Sequence, residues 1–162
     1  MFAKNSDVFG TDVAPYRHHV HRVVGLVCRQ VDVEPKHIRP LAVAAFFHDA
    51  AIWFDQTWDY LPRSAKRAVA ELADDEAEHA ELVTAMIYEH HRVRKARHRH
   101  PLVEAFRLAD RADVFAPLVG VPRVDVLRAA TSYAPSPIAA FAACWPRRSV
   151  AVCARTQFDH CR

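Results

Sequence analysis

Leu41-Ala-Val-Ala-Ala-Phe-Phe-His48-Asp49 is the stretch on which the reading of this chain turns. An unbroken apolar run leads straight into an imidazole and a carboxylate. At 3.6 residues per turn, Leu41, Ala44, Ala45 and His48 share one face, so the histidine points where the helix packs. A polar group turned inward without a partner costs a few kcal/mol. One resolution is a helix C-terminus, where His48 meets the macrodipole and Asp49 opens the next turn. The other is a divalent cation, which satisfies both groups at once, because neutral imidazole nitrogen and carboxylate oxygen are ordinary metal ligands.

Other stretches repeat the pattern. His19 lines up with Val23 and Leu26 on a helix predicted over about 15–30, whose stripe is Val20, Val23, Val24, Val27 and Val31. His90 closes the stripe His79, Leu82, Val83, Met86, and Asp110 follows Val103 and Phe106 at i+7 and i+4. Each of these segments therefore turns a ligand-type side chain inward. His18 is the fallback for His19, because adjacent histidines leave the register open. Asp113 is the alternative to Asp110, with capping or solvation as its simpler role.

Hydrophobic residues at 51% and charged residues at 25% describe a globular chain, and with only 3 glycines and apolar residues at helical spacing the expectation is all-α. Further helices are expected over about 40–51, 64–72, 74–90 and 101–115, with Asp74 or Asp75 as an N-cap. They are joined by a proline-punctuated connection, an aromatic loop over 53–62 and a basic loop over 92–100. One helical domain is expected over 1–120, followed by an irregular C-terminal tail over 121–162 rich in Pro, Ser, Ala, Arg and Cys.

Apolar runs at 41–47 and 138–145 are too short to span a bilayer, and the N-terminus lacks a secretory layout, so a cytoplasmic protein away from membranes is expected. Cys28, Cys144, Cys153 and Cys161 form no C-x-x-C pair and read as reduced and structurally incidental. The net charge of +3 is mild. No aromatic residue interleaves with the basic run Arg92–Arg99, so nucleic acid is not an expected partner.

Tyr16-Arg-His-His19-Val-His-Arg22-Val, Phe47-His48-Asp49, Ile87-Tyr-Glu-His90-His91 and Leu108-Ala-Asp110 together resemble the HD-domain superfamily of metal-dependent phosphohydrolases, in a small bacterial branch, over about 12–118. The resemblance implies a compact helical HD-domain bundle with His19, His48, Asp49 and Asp110 as metal ligands. It implies one divalent ion (Mn, Co, Ni, Fe, Zn or Mg) and hydrolysis of a small phosphorylated substrate, a nucleotide being one candidate, with Asp49 also orienting water. Members acting on nucleoside monophosphates carry a glutamate soon after the doublet. Here Ile52 and Trp53 stand in that region, which leaves Asp55, or Asp59, for the base role.

Dinuclear members use further histidines before the final aspartate. His79, His90 and His91 fall in that interval but with closer spacing, so a mononuclear site is expected. His90, His91, Arg92 and Trp53 are the candidate substrate contacts. Trp53, Trp58 and Tyr60 form either a pocket wall or a hydrophobic plug. Two rival functions are a dinuclear iron HD-type oxygenase and a non-catalytic metal-binding module.

Overall fold

Residues 1–115 are described by the computed structural model, and among them every regular element is helical, with no strand. A 3-10 turn (Phe2–Lys4), helix α1 (Ser6–Phe9) and a second 3-10 turn (Gly10–Asp12) lead into α2 (Val13–Gln30). Gly10 sits at φ +53, a left-handed conformation that side chains rarely adopt, and this lets the chain turn from α1 into α2. Tyr16, His19, Val20, Val23, Leu26 and Val27 are buried along α2, while Val24 and Val31 from the expected stripe are partly buried.

Helix α3 spans Pro35–Phe47, a turn earlier than the expected start near residue 40. Pro35 takes a first-turn position, where its missing N–H is not needed. Pro40 lies inside the helix. It withholds a donor from the carbonyl of Lys36, an exposed residue, while the ring itself is buried. The chain then turns at His48–Ala50 into the short α4 (Ala51–Phe54). Helix α5 (Leu61–Glu71) begins slightly before the expected 64–72 helix, with proline again in its first turn.

The single helix expected over 74–90 is two pieces, a 3-10 turn (Asp74–His79) and α6 (Ala80–Glu89). Neither Asp74 nor Asp75 is the N-cap. Ala73 holds that position, and its backbone N–H donates to Glu76 Oε2 at 2.9 Å. The last described helix, α7, is Pro101–Phe115.

Helices α2, α3, α6 and α7 pack on one another, and α5 closes against α3 and α6. Their buried apolar residues form one core cluster running from Phe9 to Ala112. Gln30 Nε2 donates to the Ala105 carbonyl at 3.2 Å, pinning the end of α2 to α7. No described helix is long and apolar enough to cross a membrane. The expected domain boundary near 120, the tail over 121–162 and Cys144, Cys153 and Cys161 lie outside the described residues, and Cys28 is exposed.

Candidate metal centre

Helices α2, α3 and α7 and the turn after α3 bring His19, His48, Asp49 and Asp110 together. His19 comes from mid-α2, where Val23 and Leu26 on the same face are buried with it. His48 is the C-cap of α3, and Asp110 follows Val103 and Phe106 down the buried face of α7. His90 joins them from the C-cap of α6. Two of the four histidine- or aspartate-bearing helices thus present their C-terminal ends, where the macrodipole favours a cation. His18 is only partly buried and stands outside this cluster, so the inward register is that of His19.

Three imidazoles are aimed by what holds their outer nitrogens. His19 Nδ1 donates to Asp113 Oδ2 at 2.7 Å, His48 Nδ1 to the Ala45 carbonyl at 2.8 Å, and His90 Nδ1 to the Ile87 carbonyl at 2.6 Å. With Nδ1 engaged as a donor, each Nε2 is left facing the interior. This is the outer-shell arrangement that fixes the tautomer of metal-binding histidines.

The Nε2 atoms of His19 and His48 are 3.0 Å apart, and Asp110 Oδ1 lies 3.4 Å from the first and 3.6 Å from the second. Donors at about 2.0–2.1 Å from a common ion, at angles between square and tetrahedral, are about 3.0–3.4 Å apart. The triangle therefore fits a divalent cation with little adjustment. Asp49 Oδ2 adds a fourth donor 3.4 Å from His48 Nε2. The other Asp49 oxygen, Oδ1, is buried without a hydrogen-bond partner and lies 3.4 Å from His90 Nε2, which is buried and unpartnered too. Two facing orphans at this depth are what a cation would satisfy.

Electrostatics point the same way. Burial opposes charge on His48, but Asp49 and Asp110 outweigh it and raise its pKa to about 10. Burial likewise opposes charge on His19, which Asp110 and Asp113 nonetheless push upward. The carboxyls of Asp49 and Asp110 are held low against their own burial, Asp49 chiefly by His48 and Asp110 by its hydrogen bonds to His19 and His48. The cluster gathers more negative charge than its surroundings relieve, and protons or a metal ion supply the balance.

Sequence reasoning missed the support behind His19. Asp113 accepts from His19 and also from Arg22, whose Nη2 donates at 3.0 Å, and both side chains of that ion pair are nearly fully buried. Arg22 lies three residues after His19 and Asp113 three after Asp110, so shared helix faces were the available signal. Tyr16 seals the floor. Its hydroxyl donates to the Phe46 carbonyl at 2.8 Å, and its ring lies 6.1 Å from that of His19 and 6.0 Å from that of His48.

The remaining candidates separate. His91 is close to the centre, its Nε2 4.0 Å from Asp49 Oδ1 and hydrogen-bonded to the Tyr60 hydroxyl, with about a third of its side chain open to solvent. Desolvation and then His90 hold its pKa below the ordinary histidine value. Asp55 does not join the donors. Arg67 clamps both of its oxygens, at 2.8 and 3.1 Å, because the α5 helix packs beside the α4 turn. That ion pair, with Arg63 nearby, lowers the carboxyl pKa, so Asp55 is a weak proton acceptor.

Trp53 is also turned elsewhere. Its indole N–H donates to Asp12 Oδ2 at 3.0 Å, and its ring packs on Tyr16 and Phe9, so it serves as hydrophobic plug more than substrate contact. Arg92 follows His90 and His91 in sequence and is largely buried, with its Nε 3.4 Å from Glu89 and its carbonyl taken by Arg107 and Arg111. His79 lies at the far end of α6 from His90 and takes no part in the centre. Comparison with family models, with curated proteins and with solved structures finds no match to this chain.

Proposed function

We propose that this chain is a divalent-metal-dependent phosphohydrolase of HD type. The observation that carries the reading is the convergence of His19 Nε2, His48 Nε2 and Asp110 Oδ1 within 3.6 Å of one another, with Asp49 beside them. His19, His48, Asp49 and Asp110 would hold the ion. When bound, it would polarise a phosphoryl oxygen and lower the pKa of water at the centre toward neutrality. The ordered arrangement of helices pre-positions the donors, so little reorganisation accompanies loading.

The chain's own groups supply the rest. Asp49 Oδ1, unpartnered and buried, is placed to accept a hydrogen bond from an attacking water and orient it. The Tyr60–His91 pair stands at the more open side of Asp49, where a substrate phosphate or leaving oxygen would meet a ring N–H. Asp113 and Arg22 keep His19 in its tautomer, acting through it rather than on substrate.

The test is metal analysis of the purified chain, then a screen of phosphorylated small molecules, nucleotides included, with Mn, Co, Ni, Fe, Zn or Mg restored. Turnover that His48→Ala and Asp49→Ala abolish, together with metal retention, supports the reading. Retained activity in either variant refutes it. Metal binding without turnover of any phosphoester would favour a non-catalytic metal-binding module.

A second reading has its own observation. The facing orphans Asp49 Oδ1 and His90 Nε2, 3.4 Å apart, would suit a second ion bridged by Asp49. With iron, that arrangement corresponds to the dinuclear oxygenase alternative. Two irons per chain and substrate-dependent oxygen uptake would select it over hydrolysis.

A further inference from the structure

Positive charge is concentrated on the loop that leaves the metal centre. Over Arg92–Arg99 the chain carries Arg92, Arg94, Lys95, Arg97 and Arg99 and no acid, whereas residues 1–115 as a whole hold 16 Lys and Arg against 17 Asp and Glu. Arg94, Lys95, Arg97 and Arg99 are exposed, and none of these four side chains has an ion-pair or hydrogen-bond partner among the described residues. The residues beyond 115 carry six arginines against two aspartates, so they bring no acidic stretch to neutralise the loop.

The loop is held in place from both helices that flank it. Glu89, which directly precedes His90, accepts the backbone N–H groups of Arg97 and of His98, the latter at 3.0 Å, and Glu104 accepts that of Ala96 at 2.8 Å. Arg111, which directly follows Asp110, donates to the Arg92 and Val93 carbonyls at 2.8 and 3.0 Å. The nearby carboxylates are thereby consumed, since Glu104 also accepts from Arg107 at 2.7 Å and Glu89 lies beside Arg92. Four outward cations are left on a fixed backbone, pinned to the neighbours of His90 and Asp110. A loop ordered in advance spares a ligand much of the cost of ordering it.

We infer that this loop is a docking strip for a single-stranded oligonucleotide, with Arg94, Lys95, Arg97 and Arg99 on its phosphates and its terminal phosphate directed to the metal centre past His91. Exposed cations without partners match a backbone that carries a phosphate at every step. Three of the four are arginines, whose planar guanidinium grips phosphate bidentately and also stacks on bases. The lack of interleaved aromatics bears on ring stacking and leaves guanidinium stacking in place. Val93, 68% exposed between Arg92 and Arg94, offers a base an apolar contact. A duplex fits less well. His19, His48 and His90 are buried, and it is His91 that opens to solvent at the centre. From Arg94 to Arg99 the chain reaches at most about 18 Å, room for a few nucleotides of one strand. The direction of the strand's end rests on the hydrolytic reading; the docking strip does not.

The test is fluorescence anisotropy of the metal-free full chain with a labelled single strand of about ten nucleotides, across a salt series. Four phosphate contacts predict a salt slope of about −2.8, or binding about 50-fold weaker at about 200 mM than at about 50 mM. Arg94→Gln/Lys95→Gln/Arg97→Gln/Arg99→Gln is expected to weaken binding at least about tenfold and flatten the slope. Lys4→Gln/Arg17→Gln/Lys36→Gln/Lys66→Gln, which removes the same charge from exposed positions elsewhere, should stay within about threefold of wild type. Equal weakening by both variants would reduce the effect to net charge and overturn the inference, as would no binding at low salt. Tighter binding of a duplex, or of polyphosphate of matched length, would overturn the choice of ligand. This readout needs neither metal nor turnover, so it fails or succeeds apart from the hydrolytic reading. With manganese restored, the loop variant should lose turnover of a terminally phosphorylated strand and keep that of a small phosphomonoester; loss of both would overturn the placement of the strand's end.

Discussion

Metal binding and proton binding should compete at the centre, with a measurable slope. Without metal, His48 holds its proton up to about pH 10 because Asp49 and Asp110 outweigh its burial, and His19 is shifted the same way. A metal ligand must be neutral imidazole, so loading at neutral pH expels at least the His48 proton. One proton displaced makes the apparent affinity rise about tenfold per pH unit below the folded pKa, or about 100-fold from pH 6.5 to 8.5. A second proton from His19 would steepen that.

The stability of the metal-free protein moves the opposite way. A raised folded pKa gives a contribution fully present below the unfolded value of about 6.5 and lost as pH climbs through about 10. Isothermal titration with manganese or zinc in buffers of differing ionisation enthalpy counts the protons, and melting curves across pH 7–10 read the stability. A pH-independent affinity with no proton release would refute the electrostatic account of the cluster.

Asp113→Asn should weaken metal affinity about 10–100-fold by loosening the hold on the His19 tautomer, and should destabilise the fold by about 1–3 kcal/mol because the buried Arg22 loses a charged acceptor; metal titration and denaturant unfolding check both. Phe106→Ala removes a fully buried ring 5.6 Å from that of His48, so about 3–5 kcal/mol of stability should go, measured by denaturant midpoint. Asp55→Asn should leave metal content and any phosphatase turnover within about twofold, with under about 1 kcal/mol of stability lost, since Arg67 is partly exposed. A turnover loss beyond tenfold would return Asp55 to the catalytic machinery.

Much of the centre was legible before any coordinates. His19, His48, His90 and Asp110 each sit at helical spacing from apolar residues, and burial of those residues carries the ligand inward with them. The all-α character followed from the same periodicity. Local chemistry misled in two places. Pro40 reads as a break, yet α3 runs through it, because tertiary burial of the ring offsets one missing hydrogen bond at the exposed residue Lys36. Asp55 reads as a free acid near the doublet, until α5 brings Arg67 against it.

Sequence alone determined which side chains face inward, since that is a property of one helix and its period. Which inward groups meet was decided only by tertiary structure. The His19–Asp113 contact joins residues 94 apart, and the approach of the His48 and His90 rings to 5.1 Å depends on how α3 and α6 are laid side by side. Periodicity fixes direction around a helix axis but carries no record of the neighbouring axis. The packing angles that bring such a His/Asp cluster together arise from the shapes of many side chains together.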